Sequence, residues 1–227
     1  MVTQGLSTPP PAVSKRAVLL ELTIVGVFAA GYLLAFRSRP GYVDLLLAVV
    51  AMLFIVSGYA RSSKLWKLQR SDEEGEPRLR RAMIATGLFT AAALVVLLAI
   101  GVTLAARAGG FDAVVGRLGN PYFLAAVALY FPWALLQQFV FQFYLLGRLL
   151  VVLPLGGALA MTALAFCLVH YPRWPVMAVT LVAGAVWALI YRRYRVLLPL
   201  AISHALLGSA LHYWVFGRDL VASWLGS

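Results

Sequence analysis

Long uncharged stretches of apolar residues constrain the fold of this chain more than any other feature. Seven stretches carry no charge, or a single one near an end: 17–36, 41–59, 82–106, 121–146, 152–170, 174–191 and 196–216. About 20 apolar residues in a helix cross a bilayer core of roughly 30 Å. Because the stretches are continuous, without the apolar–polar alternation of barrel strands, they predict helices. The expected fold class is all-α: a polytopic membrane helix bundle of about seven transmembrane helices.

The composition supports a membrane protein, and the distribution of its basic residues explains the net charge of +11. Of the 227 residues, 63% are hydrophobic and 12% are charged, whereas soluble domains carry about 25% charged residues. Most of the basic residues lie in the N-terminal tail, in segment 61–81 and at 192–195. This positive-inside distribution predicts a cytoplasmic N-terminus and an outer C-terminus. The expected location is a bacterial plasma membrane. We therefore expect contact with membrane lipid and no nucleic-acid partner.

The polar segments divide the chain into four parts. Residues 1–16 are expected to form an N-terminal cytoplasmic tail, and residues 217–227 a C-terminal tail. Residues 17–120 hold the N-terminal transmembrane helices with a cytoplasmic loop at 60–81, where mixed charges, Gly and Pro disfavour a membrane helix. Residues 121–216 form the transmembrane core, in which Pro132 is expected to kink the fourth helix.

Polar side chains inside three of the C-terminal apolar stretches mark the candidate site. They are costly in lipid unless each faces a partner or a wet cavity. Gln138 and Gln142 are four residues apart and are expected to contact each other or share a partner, while Gln137 is turned about 100° away. We expect Gln137, His170 and His204 to converge on one polar cavity. The alternative is that these side chains only join helices to one another.

Three short motifs lie in order along this core: Gln137-Gln138 with Gln142, Phe166 with His170, and His204 with Gly208. Over about residues 121–216, they resemble the Glu-Glu-x-x-x-Arg, Phe-x-x-x-His and His-x-x-x-Asn motifs of the CPBP family. This family of Abi-type intramembrane proteins includes CAAX prenyl proteases and bacteriocin-processing enzymes. The resemblance implies a membrane-embedded peptidase that acts on hydrophobic or membrane-anchored peptides. It implies catalytic positions at Gln137, Gln138, Gln142, His170 and His204, and substrate contacts at Phe166, Gly208 and His212.

The motifs differ from the family pattern in the residues that carry the chemistry. In the family, the first Glu is understood to activate a water, and the histidines and the Asn to orient that water or stabilise the oxyanion. Gln137 stands in place of that Glu, and an amide does not accept a proton at neutral pH. Gln138 and Gln142 replace an ion pair, so both charges are lost together and none is stranded in lipid. This paired replacement indicates a site that was retuned, not abandoned.

Three functional hypotheses follow from this pattern. The first is a CPBP-type peptidase with a Gln/His site. The second is a non-catalytic membrane protein that binds a hydrophobic peptide or a lipid. The third is a histidine-dependent enzyme of another reaction class, either without a metal or with a divalent metal at His170, His204 and His212. Apart from that metal, no cofactor is predicted.

A few other side chains are weaker candidates for the same chemistry. Cys167 lies three residues before His170, so a thiolate–imidazole pair is possible, although a lone buried Cys is usually a small apolar filler. Glu21 and Asp44 are alternative sources of a base, but both lie near the ends of their apolar stretches, where pairing at the interface is the default. Aromatic residues of the fourth stretch, including Tyr130, are interpreted as lipid-facing or packing groups.

Overall fold

The computed structural model describes residues 14–35 and 75–218, with isolated positions at 46, 49, 50 and 53. Over these residues the protein is helical and contains no strand, which confirms the all-α fold class. The helices are α1 (Lys15–Ala35), α2 (Gly75–Leu118), α3 (Phe123–Gln138), α4 (Leu146–Val152), α5 (Leu155–Leu168), α6 (Trp174–Tyr194) and α7 (Leu198–Ala210). A π-helical turn at Phe139–Leu145 joins α3 to α4, and a second one at Leu211–Val215 extends α7.

Three helical stretches of the described residues are long and apolar enough to cross a membrane: Pro77–Leu118, Phe123–Val152 and Trp174–Tyr194. Helix α5 is apolar but has only 14 residues, which at 1.5 Å per residue span about 21 Å, less than a bilayer core. The predicted helix 41–59 lies, apart from the four isolated positions, outside the described residues. The number of seven spans therefore stays a prediction.

Helix α2 is kinked at two adjacent glycines. Gly110 has a φ of +65°, in the left-handed region that glycine adopts without a steric penalty. The segment after the kink carries Arg117, whose Nη1 donates to the carbonyl oxygens of Val215 at 3.0 Å and of Trp214 at 3.5 Å. These carbonyls end the helical chain at the second π-helical turn, where few backbone donors remain. The kink thus brings a cation to the C-terminal end of the α7 segment.

The site is enclosed by close packing between helices that are distant in sequence. Helix α5 packs along α6, α3 packs along α7, and α2 contacts α6, α7 and the second π-helical turn. A glycine permits the approach of α6 to α5, because a Cβ on Gly184 would lie only 3.1 Å from Cδ1 of Phe166. Small residues allow such close helix contacts in membrane proteins. Phe166, 1% exposed, is thereby held in the centre of the bundle.

We expect Gly101→Ala in α2 to destabilise the fold, because the new Cβ would lie 2.7 Å from the carbonyl oxygen of Trp214. Overpacking of this kind costs about 1–3 kcal/mol. Gly87→Ala on the same helix is the matched control, since its Cβ meets open space and Ala favours a helix interior by roughly 1 kcal/mol. Unfolding of the purified variants in detergent measures both effects. Equal stability of the two variants would contradict the close contact between α2 and the second π-helical turn.

Candidate functional site

His204 lies within α7 with both ring nitrogens close to polar partners on α3. Nδ1 is 3.4 Å from Nε2 of Gln138, and Nε2 is 3.3 Å from the hydroxyl of Tyr130. The amide nitrogen can only donate, so Nδ1 accepts, and the neutral ring donates its Nε2 proton to the Tyr130 oxygen. His204 is 4% exposed and Gln138 is 1% exposed. The buried imidazole therefore has polar partners on one facing helix, where the backbone carbonyl of Ala134 is also within hydrogen-bonding range.

Two aromatic rings hold the imidazole of His204 in place. Its centroid is 5.4 Å from that of Phe166, in a T-shaped contact, and 4.9 Å from that of Trp187. The indole Nε1 of Trp187 donates to Oγ of Ser203 at 3.1 Å, and the hydroxyl oxygens of Ser203 and Thr90 are 2.7 Å apart. These contacts connect α2, α5, α6 and α7. The imidazole of His204 is therefore packed against α5 and α6 in addition to its bonds to α3, and α2 is linked to this cluster through Thr90.

His170 lies in the turn that follows α5, half-buried, with Nδ1 2.9 Å from the carbonyl oxygen of Phe166. A carbonyl only accepts, so Nδ1 carries the proton and the neutral ring keeps its lone pair on Nε2. Within the described part of the chain, no hydrogen bond is made to that Nε2. The ring of Phe166 contacts both imidazoles, with centroids 5.3 Å from His170 and 5.4 Å from His204. Both predicted histidines thus contact the same aromatic ring.

His212, in the second π-helical turn, has the same backbone contact, with Nδ1 3.0 Å from the carbonyl oxygen of Gly208. Arg173 and His212 both lie within electrostatic range of His170. Over residues 14–35 and 75–218, no three histidine, cysteine or acidic side chains are grouped closely enough to hold a metal ion. The three histidines are therefore neighbours without being a preformed set of metal ligands.

The three glutamines have different surroundings. Gln138 contacts His204 through its Nε2, whereas Gln137 makes no hydrogen bond to either histidine within the described residues, and the Oε1 atoms of both glutamines are buried without a partner there. Gln142 is fully buried, and neither polar atom of its amide has a hydrogen-bond partner in the described structure. The expectation that Gln138 and Gln142 contact each other or share a partner is wrong as far as hydrogen bonds are concerned, because neither amide atom of Gln142 has such a partner among the described residues. Gln142 lies in the first π-helical turn, where i→i+5 bonding replaces the α-helical spacing that aligns residues four apart.

The weaker candidates have contacts of their own. The carboxylate of Glu21 accepts hydrogen bonds from the hydroxyl of Tyr144 at 2.6 Å and from Nε of Arg148 at 3.1 Å. It therefore joins α1 to the α3–α4 segment. Cys167 is a buried free thiol with no hydrogen bond to His170 among the described residues. Asp44 lies outside the described residues.

Comparison with known proteins finds a family match over the segment that contains this site. Residues 118–209 match the family model of type II CAAX prenyl endopeptidase Rce1-like proteins. This segment is Rce1-like. It extends from the end of α2 into α7 and contains both site histidines and all three glutamines, so the resemblance to the CPBP family is confirmed. No curated protein and no solved structure matches the chain significantly. The Rce1-like match over this segment and the apolar helices support an integral membrane protein.

Four side chains that support His204 were not among the predicted site residues: Tyr130, Trp187, Ser203 and Thr90. The interpretation of Tyr130 as a mere packing group is corrected by its hydroxyl contact with His204. A sequence signal for it exists, because Tyr130 precedes Gln138 by eight residues, or about two helical turns on the same face. The others have no such signal, since their role depends on contacts between separate helices.

We expect Gln138→Met and Gln142→Met to have opposite effects on stability. Gln138→Met leaves Nδ1 of the buried His204 without a partner, at a cost of about 1–3 kcal/mol. Gln142→Met removes two polar atoms that have no partner among the described residues, so it should be neutral or stabilising. Each variant serves as the control of the other in unfolding measurements in detergent. A similar loss of stability in both would contradict the difference in their surroundings.

Proposed function

We propose that this protein is an intramembrane peptidase that cleaves membrane-anchored peptides with His170 as the general base. The observation that carries the proposal is the hydrogen bond from Nδ1 of His170 to the carbonyl oxygen of Phe166. It leaves the basic lone pair on Nε2, which has no hydrogen bond within the described residues. Histidine is the side chain most often used for proton transfer at neutral pH. The Rce1-like match over residues 118–209 supports a peptidase in place of another hydrolase.

The glutamate mechanism of the family is not proposed for this chain. Gln137 and Gln138 hold the positions of the two glutamates, and amides do not take up a proton at neutral pH. The carboxylate of Glu21 is engaged by Arg148 and Tyr144. A base is nevertheless required to activate water for attack on a peptide. Among the residues at the site, His170 meets this requirement with an imidazole held in one tautomer.

The proposed reaction consumes one water and breaks one C–N bond. Nε2 of His170 takes a proton from the water as its oxygen attacks the carbonyl carbon of the scissile peptide. The C–N bond of the tetrahedral intermediate then breaks, and the imidazolium returns the proton to the leaving amine nitrogen. The products are a carboxylic acid and an amine, each on its own peptide fragment. His204, with both nitrogens engaged by α3, acts in this scheme as a positioning residue.

The proposed substrate class follows from the family description, which refers to CAAX prenyl endopeptidases. A prenylated peptide that ends in Cys, two aliphatic residues and a variable residue is anchored in the bilayer by its lipid. A site between apolar helices meets such a substrate without removing it from the membrane. We also propose a cytoplasmic N-terminus and an outer C-terminus, on the basis of the positive-inside distribution of basic residues.

A second candidate function is non-catalytic binding of a hydrophobic peptide or a lipid. The observation in its favour is the loss of every carboxylate and of the Arg from the motif at residues 137–142. A peptidase hydrolyses a test peptide, whereas a binding protein retains the same peptide without hydrolysing it.

We expect His170→Ala to lower turnover of a farnesylated CAAX-type peptide about 10²–10⁴-fold, the usual contribution of a general base. The purified protein is reconstituted in liposomes, and release of the C-terminal tripeptide is measured by mass spectrometry. Cys167→Ala is the matched control, since it removes a buried side chain three residues earlier without touching an imidazole, and it should keep turnover. His204→Ala should also lower turnover, and Gln137→Glu tests whether a carboxylate adds a second base.

Other outcomes would assign the function differently. Equal turnover in the wild type and in both histidine variants would exclude this constellation as the active site. No turnover in any variant, with weaker peptide retention after the histidine changes, would support the binding function. Turnover that is lost with a chelator and restored by a divalent metal would favour the metal-assisted hypothesis at His170, His204 and His212.

A further inference from the structure

The space beside Gly208 is filled by a side chain from another helix. A Cβ built on Gly208 would lie 2.7 Å from Cε1 of Tyr130 and 3.5 Å from its Cδ1 and Cζ. The backbone of Gly208 is helical, so its conformation does not require glycine. The requirement comes from the ring of Tyr130, because no larger residue fits at position 208 while the ring is there.

Tyr130 also contacts the histidine one turn earlier on α7. Its hydroxyl is 3.3 Å from Nε2 of His204, and the two ring centroids are 5.6 Å apart at 89°. Residues 204 and 208 are four apart and share one face of α7. Tyr130 therefore covers the face of α7 that carries His204 and Gly208.

The hydrogen bonds at His204 leave the phenol proton of Tyr130 available. Nδ1 of His204 accepts from the Gln138 amide, so Nε2 carries the proton and donates it to the phenol oxygen. The phenol proton is then free to point to another acceptor. A donor held in place by a buried partner is suited to stabilise negative charge that develops on a carbonyl oxygen.

We propose that Tyr130 is a catalytic hydrogen-bond donor of this site, standing in the space that a polar side chain at position 208 would otherwise occupy. This inference rests on the proposed peptidase function. It explains together why position 208 is glycine, why a Tyr hydroxyl meets His204, and how the site retains a donor after the motif has lost its Asn. Tyr130 would donate to the carbonyl oxygen of the scissile peptide and change no covalent bond.

The first test removes only the hydroxyl. We expect Tyr130→Phe to lower kcat for the farnesylated CAAX-type peptide about 10²–10³-fold, as the loss of one oxyanion donor does, with little change in KM. Tyr122→Phe, which removes an exposed hydroxyl at the start of the same helix, should leave kcat unchanged. Wild-type turnover in Tyr130→Phe would overturn the inference and leave the proposed function intact. No turnover in the wild type would overturn the proposed function and this role of Tyr130 with it.

The second test uses stability as its readout. Gly208→Asn should lower the unfolding midpoint in the presence of Tyr130, whose ring occupies the space, and have a much smaller effect in the Tyr130→Ala background. The double variant should also recover part of the turnover lost in Tyr130→Ala, because Asn again supplies a donor. Additive losses of stability would show that Tyr130 does not exclude a side chain at position 208, and would overturn the inference independently of activity.

Discussion

Lipid offers no hydrogen bonds, so each polar group in the bundle depends on a partner from another part of the protein. His204 meets this constraint through Gln138 and Tyr130, two residues of α3 that lie about two turns apart. The pair of bonds holds α3 and α7 in one register. The rings of Phe166 on α5 and Trp187 on α6 also contact the imidazole of His204. In the Rce1-like segment, α3, α5, α6 and α7 therefore pack around His204.

Polar side chains of the bundle differ in whether they have a hydrogen-bond partner among the described residues and in whether they carry a charge. Gln142 lies in a π-helical turn, a local geometry that is often found at functional sites, and its amide is fully buried with no partner among the described residues. A charged residue in these surroundings would be far more costly than an amide. Glu21 shows the alternative, since its carboxylate is retained where Arg148 and Tyr144 can engage it. The charged Glu21 thus has an ion-pair partner, whereas the polar side chains of the motif at residues 137–142 are all neutral amides.

Much of the site could be predicted from the order and spacing of its motifs, and some of it could not. His170, His204 and Phe166 do meet, because α5 is short and begins only at Leu155, which keeps its end near the middle of α7. Gln138, and not the adjacent Gln137, contacts His204. Adjacent residues of a helix point about 100° apart, and the rotation of α3 about its axis depends on its packing against α7. A motif that contains both residues carries no information on that rotation.

The fold class and the membrane location follow from composition and length, because the transfer of an uninterrupted apolar helix into lipid depends on its own residues and hardly on its neighbours. The partner of each buried polar group follows from the packing of separate helices. Tyr130 and His204 are 74 residues apart in the chain, and Thr90 and Ser203 are 113 apart. Hydrogen bonds require distances near 3 Å and aligned groups, and no periodicity in a linear sequence specifies such distances between helices. Position 208 illustrates the difference: its glycine is visible in the sequence, but the ring that excludes any larger residue comes from α3.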